Sequence, residues 1–421
     1  MKPLFKSLRL LAVASSAALL VACTEKLDNS GVCSILCPPI GGEVQNVTLD
    51  ALALDTTVQA LSGLGSEEGL LLAARGDTLD ARVIVRFDSL PTTFAEGTDP
   101  NKPITLIDSA SLRLLLDTLS IKGTSPVTIE AYDVDTTAND TSTAAVLALF
   151  RSDRLVTSQT YTRAQLRDSL SFTLPSAHVL TKIQNGEHLR LGLRAVSAES
   201  TQLLIVSGQG GSPPFLRFRV SADTAVRPLI ITPYSKTPAD ENFVIVANDL
   251  ADYTVFARRP PEGGLSDLSV GGYPPRRAYL RFAIPANILD SSTIIRATLL
   301  LDQIPNPLLD PTDSVIIVPQ LVLAGVSVTD PTKAAQIVTE FGPDSLMARP
   351  GESGLKLIEI GPAFAIWRGI KASDMPHAII LRTNNEGRSP LEIRFSSLEA
   401  APAQRPRLRI SYTNAVPLGL P

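Results

Sequence analysis

Arg82-Val83-Ile84-Val85-Arg86-Phe87 is the stretch that decides the fold. Polar and apolar residues partly alternate along it, and Asp88, Ser89 and Pro91 end it within a few positions. A period of two places successive side chains on opposite faces, the pattern of a strand with one buried side. Pro126-Val127-Thr128-Ile129-Glu130-Ala131-Tyr132 and Arg407-Leu408-Arg409-Ile410-Ser411-Tyr412 read the same way. Between such runs lie Pro, Gly, Asp and Asn, and 32 prolines argue against long helices. One short helix is expected, with Asp330 as cap, Pro331 in the first turn, Lys333 to Phe341 as its body and Gly342 as its stop.

The opening stretch returns later in the chain. Arg277-Ala278-Tyr279-Leu280-Arg281-Phe282 again ends in Arg-Phe, with Pro285 soon after. Asp108-Ser109-Ala110-Ser111-Leu112-Arg113-Leu114-Leu115-Leu116-Asp117 is echoed by Ile295-Arg296-Ala297-Thr298-Leu299-Leu300-Leu301-Asp302. His188 and His377 each precede an apolar strand. Phe215-Leu216-Arg217-Phe218 is matched by Arg407-Leu408-Arg409-Ile410. Four landmarks in one order, at similar offsets, indicate two copies of one domain, with a boundary near residues 223–227. The expected fold class is therefore all-β: two tandem, jelly-roll-like β-sandwich domains. Residues 45–224 form a divergent copy and residues 225–414 a second copy.

The N-terminal segment carries Lys2, Lys6 and Arg9, then an apolar run from Leu10 to Ala22. A charged start, a short apolar stretch and small residues before a cut site make a secretory signal over residues 1–22. The run is too short for a permanent membrane span. Residues 23–44 contain Asp28-Asn29-Ser30-Gly31, Pro38-Pro39 and Gly41-Gly42, the chemistry of a flexible tether. Removing the signal leaves about 400 residues, enough for two or three domains.

Leu20-Val21-Ala22-Cys23 resembles the lipobox of bacterial lipoproteins. That resemblance implies Cys23 as the lipidated first residue of the mature chain, with acyl chains such as palmitate as a membrane anchor. The alternative is an ordinary signal peptide with a chance cysteine beside it. Each buried methylene contributes roughly 0.8 kcal/mol, so several acyl chains hold firmly. The implied location is the cell envelope, at the outer membrane or cell surface. Cys33 and Cys37 are the other two cysteines. An exported compartment permits a disulfide between them, closing a very small loop. A metal site at this pair lacks the nearby His or Cys needed for tetrahedral coordination.

The second copy also resembles a DNRLRE-type domain, a disaggregatase-related repeat of bacterial and archaeal surface proteins. Arg277 to Phe282, Ile295 to Leu301, Trp367 to Ile370, Phe395-Ser396-Ser397-Leu398-Glu399 and Pro406 to Tyr412 carry the likeness, spanning about 275–413. The first copy lacks the tryptophan and the Phe-x-Ser-x-Glu stretch, and the family's central Thr-Trp motif is not evident in either. The resemblance implies a β-sandwich that contacts polysaccharide or builds surface structures.

Other chemistry is sparse. A net charge of −4 gives no basic face for nucleic acid. His-Glu-x-x-His is absent, Gly351-Glu352-Ser353-Gly354 is not a nucleophile elbow, and Gly208-Gln209-Gly210-Gly211 leads into Ser212-Pro213-Pro214 instead of a helix. His178, His188 and His377 are the three histidines, the last two expected to be structural and equivalent. No cofactor is expected. Asp133, Asp135, Asn139 and Asp140 form an oxygen-rich loop that could hold structural Ca²⁺, although it lacks an EF-hand's glycine and glutamate; a solvated turn is the simpler expectation. Sugar faces need exposed rings beside hydrogen-bonding groups, yet aromatics make up 5% of the chain. Trp367, in Phe364-Ala365-Ile366-Trp367, is expected in the core. Tyr273, flanked by Gly271-Gly272 and Pro274-Pro275, is either a connecting turn or a ligand contact. The expectation is a non-catalytic binding or structural module whose partners are the membrane, polysaccharide or other envelope proteins. The alternative is an extracellular polysaccharide hydrolase, or an accessory subunit of one.

Overall fold

A computed structural model describes residues 43–414, except 61–63, 66, 137–141, 222–226, 237–249, 260–263, 265, 312 and 343. Cys23, Cys33, Cys37, Asn139 and Asp140 lie outside the described residues. The first elements among the described residues are β1 (Gln45–Leu49) and β2 (Leu52–Gln59). Then come β3 (Gly69–Arg75), β4 (Leu79–Phe87), β5 (Thr93–Glu96), β6 (Asp99–Pro103), β7 (Ile107–Leu115), β8 (Val127–Asp133), β9 (Leu155–Tyr161), β10 (Ser169–Leu174), β11 (Leu189–Val196), β12 (Thr201–Val206) and β13 (Phe215–Val220). A second short pair, β14 (Leu229–Ile231) and β15 (Asp252–Arg258), precedes β16 (Asp267–Gly271), β17 (Arg276–Phe282), β18 (Ser292–Ile304), β19 (Val315–Val322), β20 (Val338–Thr339), β21 (Leu346–Ala348), β22 (Gly354–Glu359), β23 (Ala378–Thr383), β24 (Glu392–Ser396) and β25 (Arg407–Asn414). Strand accounts for 48% and helix for 12%, in several antiparallel sheets of β-sandwich character without a closed barrel.

The two halves share one strand order. In the first, β12-β3-β4-β11-β8-β9 form one path and β10-β7-β13-β14 another. In the second, β24-β16-β17-β23-β19-β20 and β22-β18-β25-β1 repeat those paths strand for strand. Inward residues of the opening stretch and of its facing strands make the first core: Val83, Val85 and Phe87 against Leu112, Phe172, Leu216 and Phe218. Ala278, Leu280, Phe282, Leu299, Leu301, Leu408 and Ile410 do the same in the second. Phe87, Phe282, Leu216 and Leu408 are all buried, as alternation requires.

The sheets do not divide the chain at residues 223–227. β1 pairs with β25, and β2 with β17, so the N-terminal strands complete the second sandwich. β14 pairs with β13, and β15 with β4, so the strands that open the second copy complete the first. Each copy thus donates its first two strands, and Gln45–Asn414 form one unit. Donated residues also enter the cores, with Leu229 and Ile231 packing into the first and Ala51, Leu52, Val47 and Leu49 into the second.

The helix expected over Lys333 to Phe341 is only Pro331–Ala334, capped by Asp330 as read, with Thr332 N–H donating to Asp330 Oδ1 at 2.9 Å. Val338–Thr339 instead pair with Leu321 and Val322 as β20. The β-branched run Ile337-Val338-Thr339 favours an open strand edge over a helix turn. Three longer helices among the described residues had no expectation: Thr143–Leu147, Ser176–Asn185, ended by Gly186 in the left-handed region at φ 65°, and Gly361–Trp367.

Candidate functional site

The donated strands carry a repeated polar pair. Asp252-Tyr253-Thr254-Val255 and Asp55-Thr56-Thr57-Val58 sit at matching register on β4 and β17, Asp252 facing Val85 and Asp55 facing Leu280. Each threonine hydroxyl accepts from a strand N–H of the receiving sandwich: Leu71 N–H to Thr254 Oγ1 and Ser269 N–H to Thr57 Oγ1, both 2.9 Å. Each aspartate accepts from a loop N–H: Gly208 to Asp252 Oδ2 and Leu398 to Asp55 Oδ2, both 2.9 Å. Sequence reasoning missed this signal. Asp-x-Thr-Val recurs once in each copy, but it lies before the landmarks that revealed the repeat.

Two adjoining clefts lie along these strands, and Gln59 and Pro274 line both. The first, about 530 Å³, is bordered by Asp55, Asp267, Arg276 and Glu399. The second, about 550 Å³, is bordered by Glu67, Phe256, Arg258 and Tyr273. Gly271 and Gly272, at φ 88° and 85°, form the turn before Tyr273. A Cβ on Gly271 would also lie 2.4 Å from the Leu391 carbonyl, so the turn needs glycine there. Tyr273 is half-buried. Its ring lies 5.1 Å from that of Phe256, and its hydroxyl donates to the Gly69 carbonyl at 3.4 Å. The turn therefore reaches from one sandwich onto the other.

One carboxyl in each cleft, Asp55 and Glu67, is hard to ionise. Burial pushes Asp55 up; the Leu398 N–H opposes this and the neighbouring Glu399 adds to it. Burial pushes Glu67 to about 7, partly offset by the Gly65 N–H at 2.8 Å and reinforced by Asp252. Burial, then Glu67, holds the Tyr273 hydroxyl well above its ordinary value.

Trp367 lies far from such chemistry in kind. It is fully buried, with ring centroids 5.8 Å from Phe282, 5.4 Å from Phe364 and 5.4 Å from His377. Asp133 and Asp135 face cations already in the chain. Lys182 Nζ lies 3.0 Å from Asp133 and 3.6 Å from Asp135, and the Arg154 side chain donates to the Asp135 carbonyl at 2.6 Å. Asn139 and Asp140 lie outside the described residues, among which no cluster of three potential ligands occurs. His188 and His377 are not equivalent. Leu191 and Ile379 hold the same register, which aligns His377 with Leu189. One residue of offset reverses the face: His377 is buried, its Nε2 3.2 Å from the Ile370 carbonyl, whereas the His188 side chain is 32% exposed beside Asp88 and Asp135.

No family model and no curated protein matches the chain. Among solved structures, the VP2 subviral particle of infectious bursal disease virus is aligned at 10% identity over 88% of this chain and 79% of that one, with a TM-score of 0.11. A mutant VP2 of the same virus, in derived T=1 particles, gives 10% identity over 87% and 76%, with a TM-score of 0.10. Scores this low place no protein beside this one.

Proposed function

We propose that the protein is a lipid-anchored, non-catalytic module of the cell envelope whose paired clefts hold a hydroxyl-rich polymer such as a polysaccharide segment. The observation that carries this reading is the juxtaposition of the two clefts. One presents carboxylates, Arg276 and Gln59, which can exchange hydrogen bonds with hydroxyls. The other presents Tyr273 and Phe256, whose faces can cover the apolar face of a sugar ring. Both volumes fall within the several-hundred Å³ typical of small-ligand sites. The lipobox-like Leu20-Val21-Ala22-Cys23 supports the anchor, and no helix among the described residues is long and apolar enough to cross a membrane.

A panel of envelope polysaccharides, tested by affinity electrophoresis against the soluble Cys23→Ser protein, checks the binding half. Retention by at least one polymer is expected, weakened about tenfold or more by Tyr273→Ala and by Glu399→Gln. Retention by none, or retention indifferent to both substitutions, refutes it. For the anchor, Cys23→Ser should release the protein from membranes; sedimentation that persists after a high-salt wash refutes the lipobox reading.

One observation favours the second reading, a polysaccharide hydrolase. Glu67, at about 7 beside Asp252, has the protonation of a general acid at neutral pH. It ranks second because Glu67 is 8% exposed and already accepts the Gly65 N–H. New reducing ends released by the parent protein, and lost in Glu67→Gln, would establish it.

A further inference from the structure

The two donated strand pairs are joined to their acceptors in different ways. β14 follows β13, its pairing partner, after a short connection. β1 and β2 come first among the described strands, yet complete edges made by β17 and β25 more than 200 residues later. In each sandwich one donated strand lines the outer edge of the first-layer hairpin strand. Ile84 pairs with β15 and β11 on its two sides, and Tyr279 with β2 and β23. Without β1 and β2, the backbone N–H and C=O groups of β17 and β25 on that side would have no strand partner. Such an edge is a template for another strand.

We infer that β1–β2 of one copy of this chain also completes the second sandwich of another copy, linking chains head to tail. Three observations carry this. The receiving bonds are repeated in detail in the first sandwich, where a strand pair from a different copy of the domain makes them. The slot therefore reads an Asp-x-Thr-Val strand and not its covalent origin. The closing segment is remote in sequence from the strands it completes, so closure is an association event within one chain. Finally, the slot and the strand pair are different surfaces of the molecule. Exchange between chains closes as a reciprocally swapped dimer or a larger ring, or extends into a filament. The strand pairing made between chains is the same pairing given up within one, so concentration decides which form prevails. The internal slot competes at an effective concentration of roughly millimolar order.

The test uses two full-length populations carrying Cys23→Ser, Cys33→Ser and Cys37→Ser and different affinity tags. One also carries Thr48→Cys and the other Arg409→Cys. These two positions face each other across β1 and β25, both on the exposed side. After joint unfolding, refolding and oxidation, a mixed-tag disulfide dimer is expected. Its yield should rise about tenfold for each tenfold rise in chain concentration while that stays below the internal value. Co-expression of the two tagged chains in one cell gives the same readout without refolding. Thr48→Cys and Arg409→Cys placed together in one chain should cross-link internally and suppress the mixed dimer. Internal closure in that chain with no mixed dimer at any concentration would overturn the inference. Absence of both links would overturn it too, because the β1–β25 pairing itself would be wrong.

Discussion

In the first sandwich the helix Ser176–Asn185 packs on β7, and its Lys182 enters a ring of charge: Asp133 at 3.0 Å, Glu187 at 3.2 Å and Asp135 at 3.6 Å. In the second, the helix Gly361–Trp367 packs on β18, the strand equivalent to β7, and its Trp367 enters a cluster of rings. Register makes the contrast residue-specific. Asp133 faces Leu191 where Leu321 faces Ile379, so a position that is core leucine in one copy is a carboxylate in the other. Beside it, Arg190 grips Asp88 through two bonds of 2.7 and 2.6 Å. The sandwich topology therefore tolerates either chemistry at this end. Rings contribute through buried area and close packing, which are largely insensitive to pH. Ion pairs must first offset their desolvation and hold only while both partners stay charged. Acid sensitivity should accordingly be concentrated in the first sandwich.

The largest effect is expected from Trp367→Ala. Removing a fully buried ring that contacts three others leaves a cavity and should cost about 3–5 kcal/mol. The chain has a single tryptophan, so its emission reports the second sandwich alone, and Trp367→Phe retains that sandwich with a smaller loss. A Trp367→Ala protein that melts like its parent would mean the ring is not part of the core.

Arg190→Met should follow at about 3 kcal/mol, near the lower end for a broken buried pair, because Asp88 keeps the Lys236 N–H at 2.9 Å and the Ser235 hydroxyl at 3.4 Å. The pH dependence fixes the sign. Burial alone would raise the Asp88 carboxyl, but Arg190, the Lys236 N–H and His188 together outweigh it and hold it below its ordinary 3.8; at Asp133, burial is likewise outweighed by the Asp135 N–H, Lys182 and His178. Groups with lowered values in the fold stabilise it above the ordinary value, and that contribution is lost as pH falls through the folded one. The first sandwich should therefore weaken below about pH 4. Circular dichroism of the whole protein should lose amplitude there while Trp367 emission stays native, and Arg190→Met should flatten the acid limb. Simultaneous loss of both signals would mean that the two ends are not independent.

Glu67 carries the opposite sign. Its raised value makes the folded state favour the protonated form, so its contribution is complete below 4.5 and is lost as pH rises toward about 7. Glu67→Gln should stabilise the protein above pH 7 by about 3 kcal/mol and leave it unchanged near pH 4. A uniform shift at all pH values would show that the residue acts through packing and not through charge.

Much of this architecture was legible in the sequence. Alternation at Arg82 to Phe87 and its return at Arg277 to Phe282 identify strands that do occupy matching places, but the expected single buried face fails for the first: Ile84 and Arg86 are as enclosed as Val83 and Phe87, because Tyr253 and Val255 of the donated strand cover the other side. The exchange of β1–β2 and β14–β15 was not legible. Periodicity says which face of a strand is buried, but nothing about which sheet buries it, and both slots present the same bonds. Lys182 was hidden for a different reason. It lies on a helix whose only strong sequence marker is Gly186, and two of its three partners, Asp133 and Asp135, come from β8 and the loop after it. Tyr273 was noticed through its glycines and prolines, but the carboxyls beside it arrive from distant segments. Glu67 and Asp252 could be placed there only once the donated strands were located.

The smallest effects belong to the donated strands, and they compare the two halves most directly. Thr254→Val leaves the Leu71 N–H without its acceptor; Thr57→Val does the same to Ser269. An unsatisfied buried donor costs about 1–3 kcal/mol. Thr254 is buried, whereas Thr57 is half-buried and borders the first cleft, where water can replace the lost hydroxyl. Thr254→Val should therefore cost about 2 kcal/mol and Thr57→Val about 1. The two hydroxyls share no hydrogen-bond partner, so the double variant should be additive within about 0.5 kcal/mol. Equilibrium unfolding in urea measures all three. Trp367 emission should register Thr57→Val and not Thr254→Val, since β2 completes the sandwich that holds the tryptophan and β15 completes the other. If the emission followed Thr254→Val instead, the strands would be closing their own copies, and the reciprocal exchange would be wrong.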